Sequence, residues 1–145
     1  MAPRILVPVD RSDQARTACE FVVDNHPDAT LVLLHVINPA EAGYSAQASV
    51  PSFSEEWYEQ KKSAAESLFD DLEALAYEGG VSDVERVLEV GRPTQTIVDY
   101  ADDEDNDIDQ IVMGSHGRSG VSRILLGSVA ETVVRRASIP VTVVR

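Results

Sequence analysis

The sequence has a single cysteine, Cys19, so an internal disulfide is excluded. This cysteine stands in the apolar helical pattern ACEFVV, which predicts a small buried core residue and not a reactive thiol. Aromatic residues are scarce, at 6% of the chain against 43% hydrophobic residues, so the predicted core is aliphatic. A chain of 145 residues with this composition can bury about two-thirds of the surface of its unfolded form. We therefore expect one folded domain over residues 1–145.

Long apolar runs are absent as well. No segment reaches the roughly 18 apolar residues of a membrane span. The opening MAPRILVPVD has no basic region, long apolar core or small-residue cleavage site of a signal peptide. The sequence therefore predicts a cytoplasmic protein with no membrane partner.

Lysine is nearly missing, since Lys61 and Lys62 stand beside ten arginines. The 25 acids outnumber the 12 bases and give a formal net charge of −13, which disfavours nucleic acid as a partner. Two explanations of the acidity stay open: adaptation of the surface to a salt-rich, halophilic cytoplasm, or an ordinary acidic surface that keeps the protein soluble. Loss of the fold at low salt favours the first explanation, and stability that is indifferent to salt excludes it.

Short apolar runs that end at turn residues are typical of strands buried on both faces of a parallel sheet. The third run alternates more than the others, as an edge strand does. The five predicted strands are Arg4 to Asp10, Thr30 to Ile37, Asp83 to Val90, Gln110 to Met113 and Val141 to Val144.

Helical spacing of apolar residues predicts four helices between these strands. They run from Ser12 to His26, from Ser54 to about Gly79, from Pro93 through TQTIVDYA, and from Gly127 to Ala137. The polar, small-residue stretch from Asn38 to Ser54 is predicted to be a loop. Five strands alternating with four helices specify an α/β fold with a parallel sheet.

Two features follow the ends of predicted strands, where open α/β sheets bind their ligands. Asp10 closes the first strand, and Met113-Gly114 closes the fourth. A carboxylate at such a position can accept the hydrogen bonds of a ribose diol. Alternatively, Asp10 only ends its strand and caps the next helix.

The stretch GSHGRSGVSRILLGSV, residues 114–129, has the composition of a phosphate-binding loop. Its glycines allow the backbone to approach a ligand, and Ser128 lies at a helix start, where amides and the helix dipole favour an anion. From Gly114 to the end of the chain there are five arginines and one acid, Glu131, so this segment is positive within an acidic protein. The pattern predicts an anion site.

Catalytic chemistry is not indicated by the same loop. It contains neither the lysine of a Walker A motif nor the G-x-G-x-x-G spacing. His116 has no evident catalytic partner in the sequence, and no base is marked for the neighbouring serines. We therefore predict no catalytic residue and no protein metal site.

The spacing Gly114-x-x-Gly117, nine residues, Gly127-Ser128 resembles the ATP-binding motif of the universal stress protein family. The segments ILVPVDRSDQA, HVINP, LEVGRP, IVMGSHGRSG and LLGSVAETVVRRASIPVTVV are similar to successive blocks of that family, over essentially the whole chain. The resemblance implies one universal stress protein-like domain over residues 1–145. It also implies an open, doubly wound, Rossmann-like sheet of the adenine nucleotide alpha hydrolase type, with helices on both faces and strand order 3-2-1-4-5.

The resemblance further implies where a nucleotide binds. Asp10 matches a contact on the ribose or adenine side, Pro8 and Val9 wall the base, and Val36 matches another base contact. The positions that match the surroundings of the ribose and phosphates are Gly114, Gly117, Arg118, Gly127, Ser128 and Val129. Met113 and His116 match positions near the pocket.

The implied function is that of an ATP-binding regulatory module in stress response, holding ATP or ADP with Mg²⁺ and acting on unknown regulatory partners. The implied assembly is a homodimer in which the strand Val141 to Arg145 of each subunit pairs across a two-fold axis. A slow ATPase or an autophosphorylating enzyme is the alternative function. A flavodoxin-like domain that binds a flavin or another small anion is a third alternative.

Overall fold

The computed structural model describes residues 2–45, 54–115 and 126–145. All strand pairs are parallel and form one sheet in which the strands, numbered along the chain, lie in the order 3-2-1-4-5, which confirms the predicted fold and strand order. The more alternating third strand lies at one edge, as predicted, and the fifth strand lies at the other. The strands are β1 (Arg4–Pro8), β2 (Thr30–Ile37), β3 (Asp83–Val90), β4 (Gln110–Gly114) and β5 (Val141–Val144).

Two of the helices begin at serines that the sequence marks as caps. The Ser12 hydroxyl accepts a hydrogen bond from the Ala15 N–H, and the Ser54 hydroxyl accepts one from Trp57. Gly80, with a φ of 101°, follows the end of the longest helix. The helices are α1 (Asp13–Asn25), α2 (Ala40–Ser45), α3 (Glu55–Glu78), α4 (Pro93–Asp102) and α5 (Ser128–Arg136), with a 3₁₀ turn at Glu104–Asn106.

Helix α2 corrects the prediction of a loop from Asn38 and the prediction of four helices. Local hydrogen bonds hold its first turn, and such bonds leave no periodic pattern of apolar residues in the sequence. The Asn38 side-chain oxygen accepts a hydrogen bond from the Ala40 N–H at 3.0 Å, and its carbonyl accepts one from Glu41 at 3.1 Å. An asparagine that accepts from a helical N–H and is followed by proline is a favoured start for a helix.

Two apolar layers cover the two faces of the sheet. Helices α1 and α3 pack on one face, and α4 and α5 pack on the other. Successive residues of β1 alternate between the layers, since Ile5 and Val7 join the first and Leu6 joins the second. Cys19 is fully buried in the first layer, as predicted, and burial raises the pKa of its thiol to about 12.

A salt bridge at the amino-terminal end of the sheet spans three strands. The Arg4 guanidinium on β1 donates to both carboxylate oxygens of Glu85 on β3, at 2.8 and 3.1 Å, and its Nε donates to the Asn106 carbonyl. These hydrogen bonds hold the pKa of Glu85 below its usual value. The ionised form of Glu85 is therefore favoured in the folded protein.

We expect Glu85→Gln to lower the free energy of unfolding at neutral pH by about 0.5–1 kcal/mol, because the side chain is partly exposed and the ion pair is screened by solvent. The folded pKa lies below the unfolded one, so this stabilisation is present above the unfolded pKa and is lost as pH falls through the folded pKa. Urea denaturation of both proteins at neutral and acidic pH checks the sign. A difference in the free energy of unfolding that stays constant down to acidic pH would contradict the expected loss of this stabilisation.

Candidate functional site

A cleft of about 670 Å³ lies at the carboxyl-terminal edge of the sheet. Strands β1 and β4 are neighbours in the sheet. The chain leaves β1 toward α1 on one face of the sheet, and it leaves β4 toward α5 on the other face. Strand order therefore reverses between β1 and β4, which is where open α/β sheets form ligand crevices. The volume falls in the range of small-molecule sites, which is roughly 300–1,000 Å³.

The structure brings nine of the twelve sequence-predicted residues together in the wall of this cleft. His116, Gly117 and Arg118 lie outside the described residues. The nine are Pro8, Val9, Asp10, Val36, Met113, Gly114, Gly127, Ser128 and Val129.

Asp10 both shapes the loop after β1 and lines the cleft. Its Oδ1 accepts a hydrogen bond from the Ser12 N–H at 2.8 Å, so the carboxylate closes the turn that leads into α1. Within the described residues, its second oxygen, Oδ2, takes part in no hydrogen bond or ion pair. The prediction that Asp10 ends its strand or caps the next helix is wrong, because β1 ends at Pro8 and the N-cap of α1 is Ser12; Asp10 instead holds the turn between them through one oxygen.

An apolar wall continues from Asp10 along the ends of β1 and β2. Pro8, Val9 and Val36 line it, and Leu34 and Ile97 extend it. The two strand ends are joined by side-chain and main-chain contacts: His35 Nδ1 donates to the Val9 carbonyl at 2.8 Å, and the Val9 N–H donates to the Leu34 carbonyl. Such a wall offers apolar contact to a flat ring.

The other end of the cleft is formed by the start of α5. The Gly127 N–H donates to the Ser115 carbonyl at 2.7 Å, which ties the start of this helix to the end of β4. Gly127 occupies the N-cap position, and glycine has no side chain to accept from the first helical N–H groups. Ser128 and Val129, the first two helical residues, line the cleft. Uncapped helical amides are suited to an anion.

Gly114 lines the cleft, but its contact with α1 already requires a glycine. A Cβ at this position would lie 2.6 Å from the Gln14 Cβ and 2.9 Å from the Gln14 carbonyl oxygen. Both distances are shorter than real side chains show, and the second involves backbone. Packing of α1 against β4 therefore explains this glycine without a ligand.

Helix α3 supplies a wall that the sequence did not assign to the site. Lys61, Ala64 and Leu68, at helical spacing, line the cleft together with Ala65. Lys61 Nζ lies 3.7 Å from Glu41 Oε1 and 5.7 Å from the centre of the Trp57 ring. The sequence marks Ala64, Ala65 and Leu68 as part of an apolar helix face, but it carries no signal that this face lines the cleft.

Arg11 is a second cleft residue that sequence reasoning missed. Its Nη2 donates to the Ala64 carbonyl on α3 at 3.0 Å. The only signal in the sequence is its place directly after Asp10.

Metal ligation and membrane insertion find no support in the parts of the chain that the structure describes. Across residues 2–45, 54–115 and 126–145 no group of three or more His, Cys, Asp and Glu side chains could hold a metal ion. None of the helices described there combines the length and apolarity that a membrane span requires.

Comparison with known proteins gives a consistent result. The sequence model of the Universal stress protein family matches residues 1–145. Universal stress protein MJ0577 of Methanocaldococcus jannaschii is 34% identical over 164 residues, covering 100% of this chain and 96% of that protein. A solved structure of MJ0577 superposes with a TM-score of 0.81 at 32% identity, covering 99% of this chain and 96% of that one. Universal stress protein UspA from Lactobacillus plantarum superposes with a TM-score of 0.80 at 28% identity, covering 99% and 97%.

Proposed function

Since the chain belongs to the universal stress protein family, we propose that its cleft binds ATP or ADP and that the protein is a nucleotide-dependent regulatory module in stress response. One observation carries the proposal. Asp10, with an oxygen left for a ligand, and the uncapped start of α5 line the same cleft at the reversal of strand order. A diol acceptor and an anion site in one crevice suit a nucleotide.

The proposed contacts divide the nucleotide among three parts of the cleft. The apolar wall that contains Pro8, Val9 and Val36 receives the base, and Met113 lies near it. Asp10 accepts hydrogen bonds from the ribose hydroxyls beside Gly114. The residues proposed for the ribose and phosphates are Gly117, Arg118, Gly127, Ser128 and Val129, with His116 near the pocket.

Adenine is supported as the base by proteins of the same fold. A universal stress protein was solved with cAMP, one from Archaeoglobus fulgidus with dAMP, and one from Arabidopsis thaliana with AMP bound, at 23%, 22% and 20% identity to this chain. At these identities the likeness is one of fold. An adenine nucleotide is therefore the ligand class to test first.

Mg²⁺ is proposed as a companion of the nucleotide. Magnesium in nucleotide sites is held mainly by phosphate oxygens and water, with one or two carboxylates. The chain's own residues would thus orient the nucleotide, and its phosphates would hold the ion.

We further propose a cytoplasmic homodimer that pairs through Val141 to Arg145. Strand β5 lies at the edge of the sheet, and its residues are partly exposed and mostly apolar. An apolar edge strand is a ready surface for pairing. A monomeric mass in solution, measured by light scattering on a sizing column, would exclude this assembly.

The second candidate function is a slow ATPase or an autophosphorylating enzyme. His35 is the histidine that lines the cleft among the described residues, and its Nδ1 is engaged by the Val9 carbonyl. We assign no residue as a general base. ATP that is recovered intact after long incubation with the protein would count against both activities.

The test of the proposal is mass spectrometry of the nucleotide released when freshly purified protein is denatured, with addition of Mg-ATP to nucleotide-free protein alongside. We expect ATP or ADP to be recovered. At about a hundred times its Kd, Mg-ATP stabilises a binding protein by about 2.7 kcal/mol. If no nucleotide is released and Mg-ATP leaves the melting temperature unchanged, the proposal is wrong. A yellow protein would indicate a flavin instead.

A further inference from the structure

Arg11 carries a positive charge into the cleft that no described carboxylate balances. Its guanidinium donates to the Ala64 carbonyl at 3.0 Å, and across residues 2–45, 54–115 and 126–145 it forms no ion pair. Four other arginines differ in this respect. The described arginine ion pairs are Arg4 with Glu85, Arg16 with Glu20, Arg86 with Asp70 and Glu73, and Arg135 with Glu131.

The other cation that lines the described cleft is already balanced. Lys61 Nζ lies 3.7 Å from a carboxylate oxygen of Glu41 and over the face of the Trp57 ring. In a protein with 25 acids and 12 bases, a guanidinium held by a neutral carbonyl keeps its full charge for a ligand. Arg11 is therefore the described cleft residue that is best suited to an anion.

The geometry of the side chain favours a phosphate. A guanidinium presents several N–H donors in a planar fork that matches phosphate oxygens, and the Ala64 carbonyl uses only one of its nitrogens. That bond also holds the side chain against α3, so less side-chain entropy is lost when a ligand binds. Arg11 directly follows Asp10 and lines the same cleft, so a nucleotide whose ribose lies at Asp10 shares that cleft with Arg11.

We propose that Arg11 binds the outer phosphates of the nucleotide and makes the cleft prefer ATP and ADP over AMP. This inference rests on the proposed nucleotide binding. It adds a specificity-determining side chain to the phosphate contacts proposed for the start of α5.

The experiment is isothermal titration of ATP, ADP and AMP, with Mg²⁺, into nucleotide-free parent, Arg11→Ala, Arg11→Lys and Arg16→Ala. Arg16→Ala is the matched control, because it removes the same charge from the neighbouring helix but does not line the cleft. We expect Arg11→Ala to weaken ATP binding about 10- to 100-fold, the usual effect of losing a charged hydrogen-bond pair. AMP binding should change much less. Arg11→Lys should fall between parent and Arg11→Ala.

The outcomes separate this inference from the proposed function. Unchanged ATP affinity in Arg11→Ala, or an equal loss for ATP and AMP, overturns the role of Arg11 while nucleotide binding stands. An equal loss in Arg16→Ala would mean that only overall charge matters, and it also overturns that role. If the parent binds none of the three nucleotides, both proposals fail. Melting curves without nucleotide identify any variant that is poorly folded. If Arg11→Ala is one of them, the test of Arg11 rests on Arg11→Lys, which keeps the charge.

Discussion

Asp10→Ala should weaken ATP binding about 10- to 100-fold, because a hydrogen bond to a charged group contributes about 1.5–3 kcal/mol and about 1.4 kcal/mol corresponds to a factor of ten. The described cleft leaves Oδ2 of this carboxylate without a partner, and we assign that oxygen to the ribose. Adenine alone should bind equally well to both proteins, since it has no ribose. Titration calorimetry with ATP and with adenine measures the difference.

Asp10→Asn separates the ligand contact from the turn. Asparagine keeps an oxygen that can accept from the Ser12 N–H, so the loop after β1 should keep its shape. It replaces the second oxygen by an amide and removes the charge. We expect Asp10→Asn to keep the melting temperature of the nucleotide-free parent but to lose most of its ATP affinity. Parent-like ATP binding by Asp10→Asn would show that Asp10 serves only the turn.

Gly114→Val should destabilise the fold itself. The added Cβ would meet the Cβ and the carbonyl oxygen of Gln14 at 2.6 and 2.9 Å, so α1 must move away from β4. Overpacking of this kind costs about 1–3 kcal/mol. For a domain of this size each kilocalorie lowers the melting temperature by about 3 °C. Thermal and urea denaturation of the nucleotide-free protein measure the effect.

The comparison with Asp10→Asn makes the Gly114 result interpretable. Gly114→Val should lose stability in the absence of nucleotide, whereas Asp10→Asn should lose binding without losing stability. If Gly114→Val has the melting temperature of the parent, α1 accommodates the side chain and the packing explanation of this glycine is wrong. Loss of nucleotide in Gly114→Val alone would not identify a ligand contact, because a displaced α1 also moves the turn at Asp10.

Local signals were sufficient for most of the fold. Buried parallel strands have continuous apolar runs because both faces are covered, and the helix caps at Ser12 and Ser54 follow from the hydrogen bonds of helical N–H groups. Helix α2 was missed because a helix of six residues has no room for apolar periodicity. Its start depends on the Asn38 side chain.

The candidate site, like the fold, was only partly predictable from the sequence. Strand ends can be read along the chain, so Asp10 and Met113 could be assigned to one edge of the sheet from the sequence alone, whereas Gly127 was assigned from the resemblance to the family motif. The part of α3 that lines the cleft could not be predicted from the sequence, because the position of a helix across a sheet depends on the packing of the whole buried layer. Distant pairs have the same origin: Gln14 requires the glycine at position 114, and the Ala64 carbonyl holds the Arg11 guanidinium. Each partner is far away in the sequence, and only the packing of α1 and α3 brings it into contact.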